Sequence, residues 1–173
     1  MKKIVVTFGV LSGTLSALML VATVPFIEKI GFDRGAYVGY TAMVISFLFI
    51  YFGVRSYRDN VGGGQVSFGR GFAIGILITL ISCVGYVLAW EVVYFKFMPN
   101  FWADYSAYAI NHLRATGGTQ AAIDAMTKQM ADFKVTYDNP LYNAAFTFIE
   151  PFPVGLLVTL ISATVLRKKV AQS

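Results

Sequence analysis

Four long runs of apolar residues, separated by charged breaks, set the pattern of the chain. They extend over about 4–27, 36–54, 72–97 and 141–166, and the first two contain no charged residue. A helix needs about 20 mostly apolar residues to cross roughly 30 Å of hydrocarbon. The pattern therefore predicts four transmembrane helices in a single integral membrane domain over 1–173.

The segment 99–140 follows a different pattern, in which apolar residues recur at the spacing of an amphipathic helix. Two stripes share this spacing: Phe101, Tyr105, Tyr108 and His112, then Ile123, Met126, Met130, Phe133 and Tyr137. Gly117 and Gly118 separate the stripes, and Thr119 is a suitable N-cap. We expect a helical hairpin that lies on the outer membrane surface or over the outer mouth of the bundle.

Composition supports a membrane protein. Of 173 residues, 57% are hydrophobic and 13% are charged, whereas soluble domains have about 25% charged residues. The formal net charge is +5, but the basic residues stand where apolar runs end. This placement favours contact with anionic lipid headgroups, and we expect no nucleic-acid partner.

The distribution of basic residues predicts the orientation. Eight of them fall on one side of the predicted membrane: Lys2, Lys3, Arg55, Arg58, Arg70, Arg167, Lys168 and Lys169. On the other side, the basic residues of 99–140 are offset by aspartates. The positive-inside rule therefore places both termini in the cytoplasm.

The first run also fits a signal peptide cut near Ala22, but its apolar length favours an uncleaved span. Glycines at helical spacing, such as Gly9 with Gly13 and Gly35 with Gly39, let helices approach closely. They predict packing within the bundle, and homo-oligomerisation is the alternative. The lone Cys83 lies inside a run and is expected in the core.

Glu91 and Glu150 are the acidic residues inside the predicted spans. Helix rise places both near the outer edge of the hydrocarbon. One interpretation is structural, with Lys96 or the hairpin as hydrogen-bonding partners. The other is a proton or cation site shared by spans three and four. Pro151 and Pro153 predict that span four is kinked, or begins, beside Glu150.

The segment 55–71 is predicted as a cytoplasmic loop. Arg55, Arg58 and Arg70 are expected to contact anionic headgroups or a partner protein, with Val66 and Phe68 dipping into the interface. Its glycines lack the Gly-Lys-Ser/Thr ending of a phosphate-binding loop, which argues against a nucleotide site. The single His112 has no companion ligand at metal-binding spacing. We expect no metal and no cofactor.

Two stretches resemble a bacterial family of integral membrane proteins, the domain of unknown function 4199 family. The first contains Tyr57-Arg58-Asp59, Gly62-Gly63 and Ser67-Phe68-Gly69, followed by Phe72 and Gly75. The second runs from Asn139-Pro140-Leu141 through Phe148, Glu150, Pro153 and Val154-Gly155-Leu156 to Ile161-Ser162-Ala163. The resemblance covers nearly the whole chain and implies a four-span membrane protein in bacteria, for which we expect an inner-membrane location. It implies no activity and no catalytic residues.

Taken together, the sequence predicts an all-α fold, a four-helix transmembrane bundle with an extracytoplasmic helical hairpin between spans three and four. The predicted function is a non-catalytic accessory or scaffold subunit that contacts membrane lipids, a membrane-protein partner or a second copy. The alternative is a small proton- or cation-linked transporter or channel component that uses Glu91 and Glu150. An enzyme is less favoured because no set of catalytic residues is recognisable.

Overall fold

The computed structural model describes residues 1–168, so Lys169 and the four residues after it lie outside the described part. Helices form almost all of it, which confirms the all-α prediction. The eight α-helices of this part are α1 Lys2–Thr23, α2 Ile27–Ile30, α3 Phe32–Asn60, α4 Phe68–Val92, α5 Phe101–Ala115, α6 Gln120–Tyr137, α7 Pro140–Ile149 and α8 Pro151–Leu166. A 3₁₀ turn, Val24–Phe26, links α1 to α2, and a π-helical turn, Val93–Phe97, extends α4.

Four helical segments are long and apolar enough to cross a membrane: Lys2–Phe26, Phe32–Asn60, Phe68–Phe97 and Pro140–Leu166. The described residues therefore contain four candidate membrane spans, the number that the sequence predicts. Helix α3 extends beyond both ends of the apolar run that predicted it, and α4 begins four residues before its run. Consequently Arg55 and Arg58 lie on the last turns of α3 rather than in a loop, and the loop itself is only 61–67.

This short loop closes the end of α3. The amides of Gly62 and Gly64 donate to the carbonyls of Tyr57 and Arg58 at 2.8 and 2.9 Å, which satisfies acceptors that a helix end leaves free. The left-handed φ of +82° at Gly64 explains the glycine there. The amides of the loop are thus used to terminate a helix, and this accounts for the glycines without a bound phosphate.

Both described chain ends meet at this end of the bundle. The Arg70 guanidinium lies 3.7 Å from the Met1 sulfur, and the Lys168 amide donates to the Val66 carbonyl at 3.1 Å. Val66 is 3% exposed and belongs to the hydrophobic core. The prediction that it dips into the membrane interface was therefore wrong, because pairing with the end of α8 draws it inward.

Helix α4 is the centre of the bundle and packs against α1, α3, α7 and α8. It lies parallel to α1, where a Cβ added at Gly85 would stand only 3.1 Å from the Gly13 Cα. It lies antiparallel to α8, where a Cβ at Gly155 would stand 2.4 Å from Thr79 Cγ2. Such contacts bring the helix backbones close together. The predicted role of Gly13 in packing within the bundle is confirmed.

Buried hydroxyl groups join the same helices. Ser12 Oγ donates to the Ser46 carbonyl at 2.8 Å and lies 2.9 Å from Ser82 Oγ, which connects α1, α3 and α4. Thr79 and Thr159 pair their hydroxyls at 3.1 Å between α4 and α8. These hydroxyl groups form their hydrogen bonds inside the bundle. They hold the helices together in lipid, where the hydrophobic effect does not drive helix association. Cys83 is fully buried beside them, as predicted.

Proline breaks the fourth span, as its sequence predicts. Helix α7 ends at Ile149 and α8 begins at Pro151, with Glu150 at the junction in helical backbone geometry. Pro151 and Pro153 have no N–H, so the carbonyls four residues earlier lose their helical donors. The span is thus a kinked pair of helices, with the glutamate at the kink.

The close approach of α4 and α1 yields a stability prediction. Gly85→Leu should lower the free energy of unfolding by about 1–3 kcal/mol, because its side chain meets the backbone of α1. Gly69→Leu is the matched control in the same helix, since a Cβ there has open space. Thermal unfolding in detergent measures both, and equal midpoints for the two variants would contradict the close α1–α4 contact.

Candidate aromatic cavity

A cavity of about 670 Å³ lies at the end of the bundle opposite Met1 and Lys168, bounded by the end of α1, the beginning of α3, the end of α4 and helices α5 and α6. Half of the residues that line it are aromatic. They are Phe32 and Tyr37 of α3, Tyr86 and Trp90 of α4, Phe101, Tyr105 and Tyr108 of α5, and Tyr137 of α6. Aromatic rings, five of them with a phenolic hydroxyl, therefore make up a large part of its wall.

Its charged lining residues are both acidic. Asp33 stands on the first turn of α3 and Glu150 at the junction of α7 and α8. Tyr86, which is 9% exposed, donates its hydroxyl to Glu150 Oε2 at 3.4 Å. Glu150 is otherwise open to the cavity, and no lysine, arginine or histidine lines it.

Two glycines of α3 leave the space that the cavity occupies. Gly35 and Gly39 line it, and a Cβ added at Gly39 would meet no atom within 4 Å. Gly39 is one turn from Met43 on the inner face of α3. The predicted role of Gly35 and Gly39 in helix packing was wrong, because these positions face a cavity rather than a neighbouring backbone.

Phe32 connects α3 to α5 at the rim. Its ring centroid lies 5.3 Å from that of Tyr105 and 5.2 Å from that of Tyr108, distances typical of favourable aromatic pairs. On the far side of this cluster lies a second cavity of about 730 Å³, lined by Asp104 and Asn100 among others. The aromatic cluster therefore separates two neighbouring cavities, each with an acidic residue in its lining.

Tyr137 fixes α6 against the spans. Its hydroxyl accepts from Trp90 Nε1 at 2.9 Å and lies 3.3 Å from Thr147 Oγ1. Burial raises the pKa of Tyr137 most; its hydrogen bonds oppose the rise, whereas the nearby Glu150 and Glu91 charges add to it. Both glutamates thus act on one tyrosine, which keeps its proton at neutral pH.

A second contact holds the end of α6. Tyr94 donates its hydroxyl to Asp138 Oδ1 at 2.5 Å, and Lys134 pairs with the other carboxylate oxygen. Burial acts to raise the pKa of Asp138, but the hydrogen bonds from Lys134 and Tyr94 outweigh it and lower that pKa below 3.8. Helix α6 is therefore tied to the π-helical turn after α4.

The two helices between spans three and four pack through the predicted stripe on α6. Ile123, Met126, Met130, Phe133 and Tyr137 are the positions of α6 that are not exposed. On α5 the most buried residue is Trp102, 7% exposed, which contacts Phe133 and Tyr137. The stripe predicted for α5 did not include Trp102. That stripe follows the other aromatic residues of α5, which face Phe32 and the cavity rather than α6.

A family model described as "protein of unknown function (DUF4199)" matches residues 7–168. The chain belongs to the DUF4199 family. No curated protein and no solved structure is significantly similar to it. The two stretches on which the resemblance rested have different positions in this DUF4199 chain. The first forms the end that contains Arg58 and the 61–67 loop, and the second reaches the cavity through Glu150.

The structure separates the site residues predicted from the sequence. Glu150 lines the cavity, whereas Glu91 does not, and no hydrogen bond joins them within residues 1–168. Glu91 Oε1 is buried without a partner. Arg55 and Arg58 lie at the opposite end, where both pair with Asp59. Arg70 stands there too, beside Met1.

The sequence did not predict the aromatic lining, because its residues belong to four helices that are far apart along the chain. Two of them, Tyr86 and Trp90, are four residues apart on α4, a signal visible in the sequence but ordinary for a membrane helix. In the described residues, no group of three or more His, Cys, Asp or Glu side chains is placed to hold a metal ion. The arrangement can enclose and orient a molecule by contact and charge.

The contact at Asp138 yields a pH prediction. The pKa of Asp138 in the folded protein lies below the ordinary value of 3.8. The ionised carboxylate therefore stabilises the fold fully above pH 3.8, and this stabilisation is lost as the pH falls through the lowered pKa. Asp138→Asn should therefore speed hydrogen exchange at the end of α6 at neutral pH and reduce its acid dependence. Asp132→Asn, which removes an exposed pair with Lys128, is the control; equal effects would contradict the role of Asp138.

Proposed function

We propose that this protein is a non-catalytic accessory protein of the bacterial inner membrane that binds a small molecule in the aromatic cavity. The observation that carries the proposal is the cavity itself, with eight aromatic residues and Glu150 in its lining. Pockets of about 300–1,000 Å³ with mostly apolar walls and a few polar groups are typical of small-molecule sites. Binding at the end covered by α5 and α6 would allow the protein to sense, retain or present a ligand to a partner.

In this proposal both termini are cytoplasmic and the cavity faces outward. The support is the positive-inside distribution, since Arg55, Arg58 and Arg70 stand at the end of the bundle where Met1 and Lys168 meet. These arginines would contact anionic headgroups, since a single Asp59 pairs with both Arg55 and Arg58 and leaves a net positive charge there. A membrane-protein partner or a second copy would pack against the lipid-facing sides of the spans.

Cysteine labelling in intact cells tests this orientation. Thr116→Cys, between α5 and α6, should react with a membrane-impermeant maleimide, whereas Val61→Cys, in the 61–67 loop, should react only after permeabilisation; both side chains are exposed. Both positions lie in connections between helices, and the buried Cys83 should contribute no background. Reversed labelling would place the cavity on the cytoplasmic side and overturn the proposed orientation.

Fluorescence of Trp90 tests ligand binding. In a Trp102→Phe background, Trp90 is the only tryptophan and lines the cavity. The probes are benzyltrimethylammonium, benzyl alcohol and benzenesulfonate, added to protein in an uncharged detergent. We expect at least one of them to change Trp90 emission with a saturable dependence on concentration.

Gly39→Leu provides the matched variant for this experiment. Its side chain has room at the wall of the cavity, so the fold should be kept while the bound probe is displaced. An unchanged unfolding temperature with at least about tenfold weaker probe binding would support the cavity as the site. A saturable signal unaffected by Gly39→Leu, or no saturable signal from any probe, would contradict the proposed binding function.

Transport linked to a proton or cation is the second candidate, favoured by the open carboxylate of Glu150 and the unpartnered oxygen of Glu91. Intramembrane carboxylates frequently belong to ion pathways. Proteoliposome flux distinguishes the two candidates. Proton or cation flux abolished by Glu150→Gln would favour transport, and its absence alongside probe binding would favour the accessory role.

A further inference from the structure

We infer that the aromatic cavity selects a monovalent organic cation, an alkyl- or arylammonium, with Glu150 as its counter-ion. This inference rests on the proposed binding function, because it names the chemical class of the ligand at the same site. It depends on three features of the described residues: the signs of the charges that line the cavity, the aromatic residues in its walls, and the hydrogen bonding of Glu150.

The charged residues that line the cavity and its neighbour are all acidic. Asp33 and Glu150 line it, Asp104 lines the neighbouring cavity, and neither lining contains a basic residue. A ligand cation would therefore meet attraction from two sides without a competing protein ammonium or guanidinium. An anion would meet only repulsion, because carboxylates in a partly enclosed site are less screened than at an open surface.

The walls favour an organic cation over a bare metal ion. Calcium takes six to eight oxygen ligands, and magnesium requires an octahedral set, whereas in residues 1–168 no cluster of three acidic or other ligating side chains occurs. The faces of tryptophan and tyrosine attract ammonium groups through their quadrupoles. Trp90 and Tyr86 stand one helical turn apart on α4, on the cavity side where Tyr86 reaches Glu150.

Glu150 is available to a ligand because its own partners are few. Its described hydrogen bond comes from Tyr86 at the long distance of 3.4 Å, and a carboxylate can accept about four. Asp33 also lines the cavity, together with Tyr108, and stands on the first turn of α3. Glu150 is therefore the anchor for the charged group of a ligand inside the cavity, and Asp33 contributes to the attraction.

The probes of the fluorescence experiment also test the ligand class. In the Trp102→Phe background, benzyltrimethylammonium should bind at least about tenfold more tightly than benzyl alcohol, and benzenesulfonate should bind most weakly. Glu150→Gln should weaken binding of the cation by about tenfold while leaving benzyl alcohol unchanged. Asp124→Asn, an exposed carboxylate on α6 outside the cavity, is the control and should change neither.

A chemical measurement gives a second test that does not depend on affinity. Gly39→Cys should react faster with trimethylammonium-ethyl methanethiosulfonate than with its sulfonate counterpart. The ratio of the two rates should be at least about tenfold larger at Gly39→Cys than at Ala115→Cys, an exposed site on α5. Glu150→Gln should reduce this preference toward that of Ala115→Cys. The native chain, whose only thiol is the buried Cys83, supplies the blank.

The outcomes separate the two proposals. Probe binding that Gly39→Leu abolishes, but without preference for the cation or with no effect of Glu150→Gln, would overturn the cation assignment and keep the binding function. Preference for benzenesulfonate would overturn the cation assignment directly. Failure of all three probes to give a saturable signal would overturn both proposals.

Discussion

The close approach of α4 to α1 and α8 is the constraint on which the rest of the structure depends. In lipid, apolar side chains gain nothing by leaving the surrounding hydrocarbon, so helices associate through tight packing and hydrogen bonds. Glycine supplies the packing at Gly13 and Gly85, where the two backbones nearly touch. The hydroxyl pairs of Ser12 with Ser82 and Thr79 with Thr159 lie beside these contacts. Small residues along one central helix therefore determine how the other spans are arranged.

Glycine has the opposite effect on packing at the end of the bundle that contains the aromatic cavity. Gly39 faces no neighbouring atom, so the small side chain leaves volume there instead of bringing two helices together. Aromatic residues surround this volume without filling it, and α5 and α6 cover it through the contacts of Phe32 and Tyr137. The bundle is thus tightly packed along its glycine contacts and open where the rings gather. A cavity arises from this difference in packing, not from a motif.

The span count follows from apolar length alone, since a helix of fixed rise must cross a membrane of fixed thickness. Helix ends were less predictable, because arginines such as Arg55 continue a helix as readily as they begin a loop. The amphipathic face of α6 was predicted correctly because its apolar residues all pack against one surface. The face of α5 was incomplete because Trp102 packs on α6 while Tyr105 faces Phe32. The spacing of apolar residues predicts a helix with one buried face well, but it predicts poorly a helix with two adjoining buried faces.

The position of Glu150 illustrates how far residue type alone can predict a site. Its charge and its prolines marked it in the sequence, but Glu91 was marked by the same charge and lies outside the cavity. The difference comes from the kink: Pro151 and Pro153 remove two helical donors, so the chain at Glu150 ends one helix and begins another. Tyr86 of the neighbouring span reaches the carboxylate there. Free acceptor positions do not separate the two residues, because Glu91 also has an oxygen without a partner. Glu150 differs in that it lines the cavity beside a tyrosine of another span, and residue type alone could not predict that neighbour.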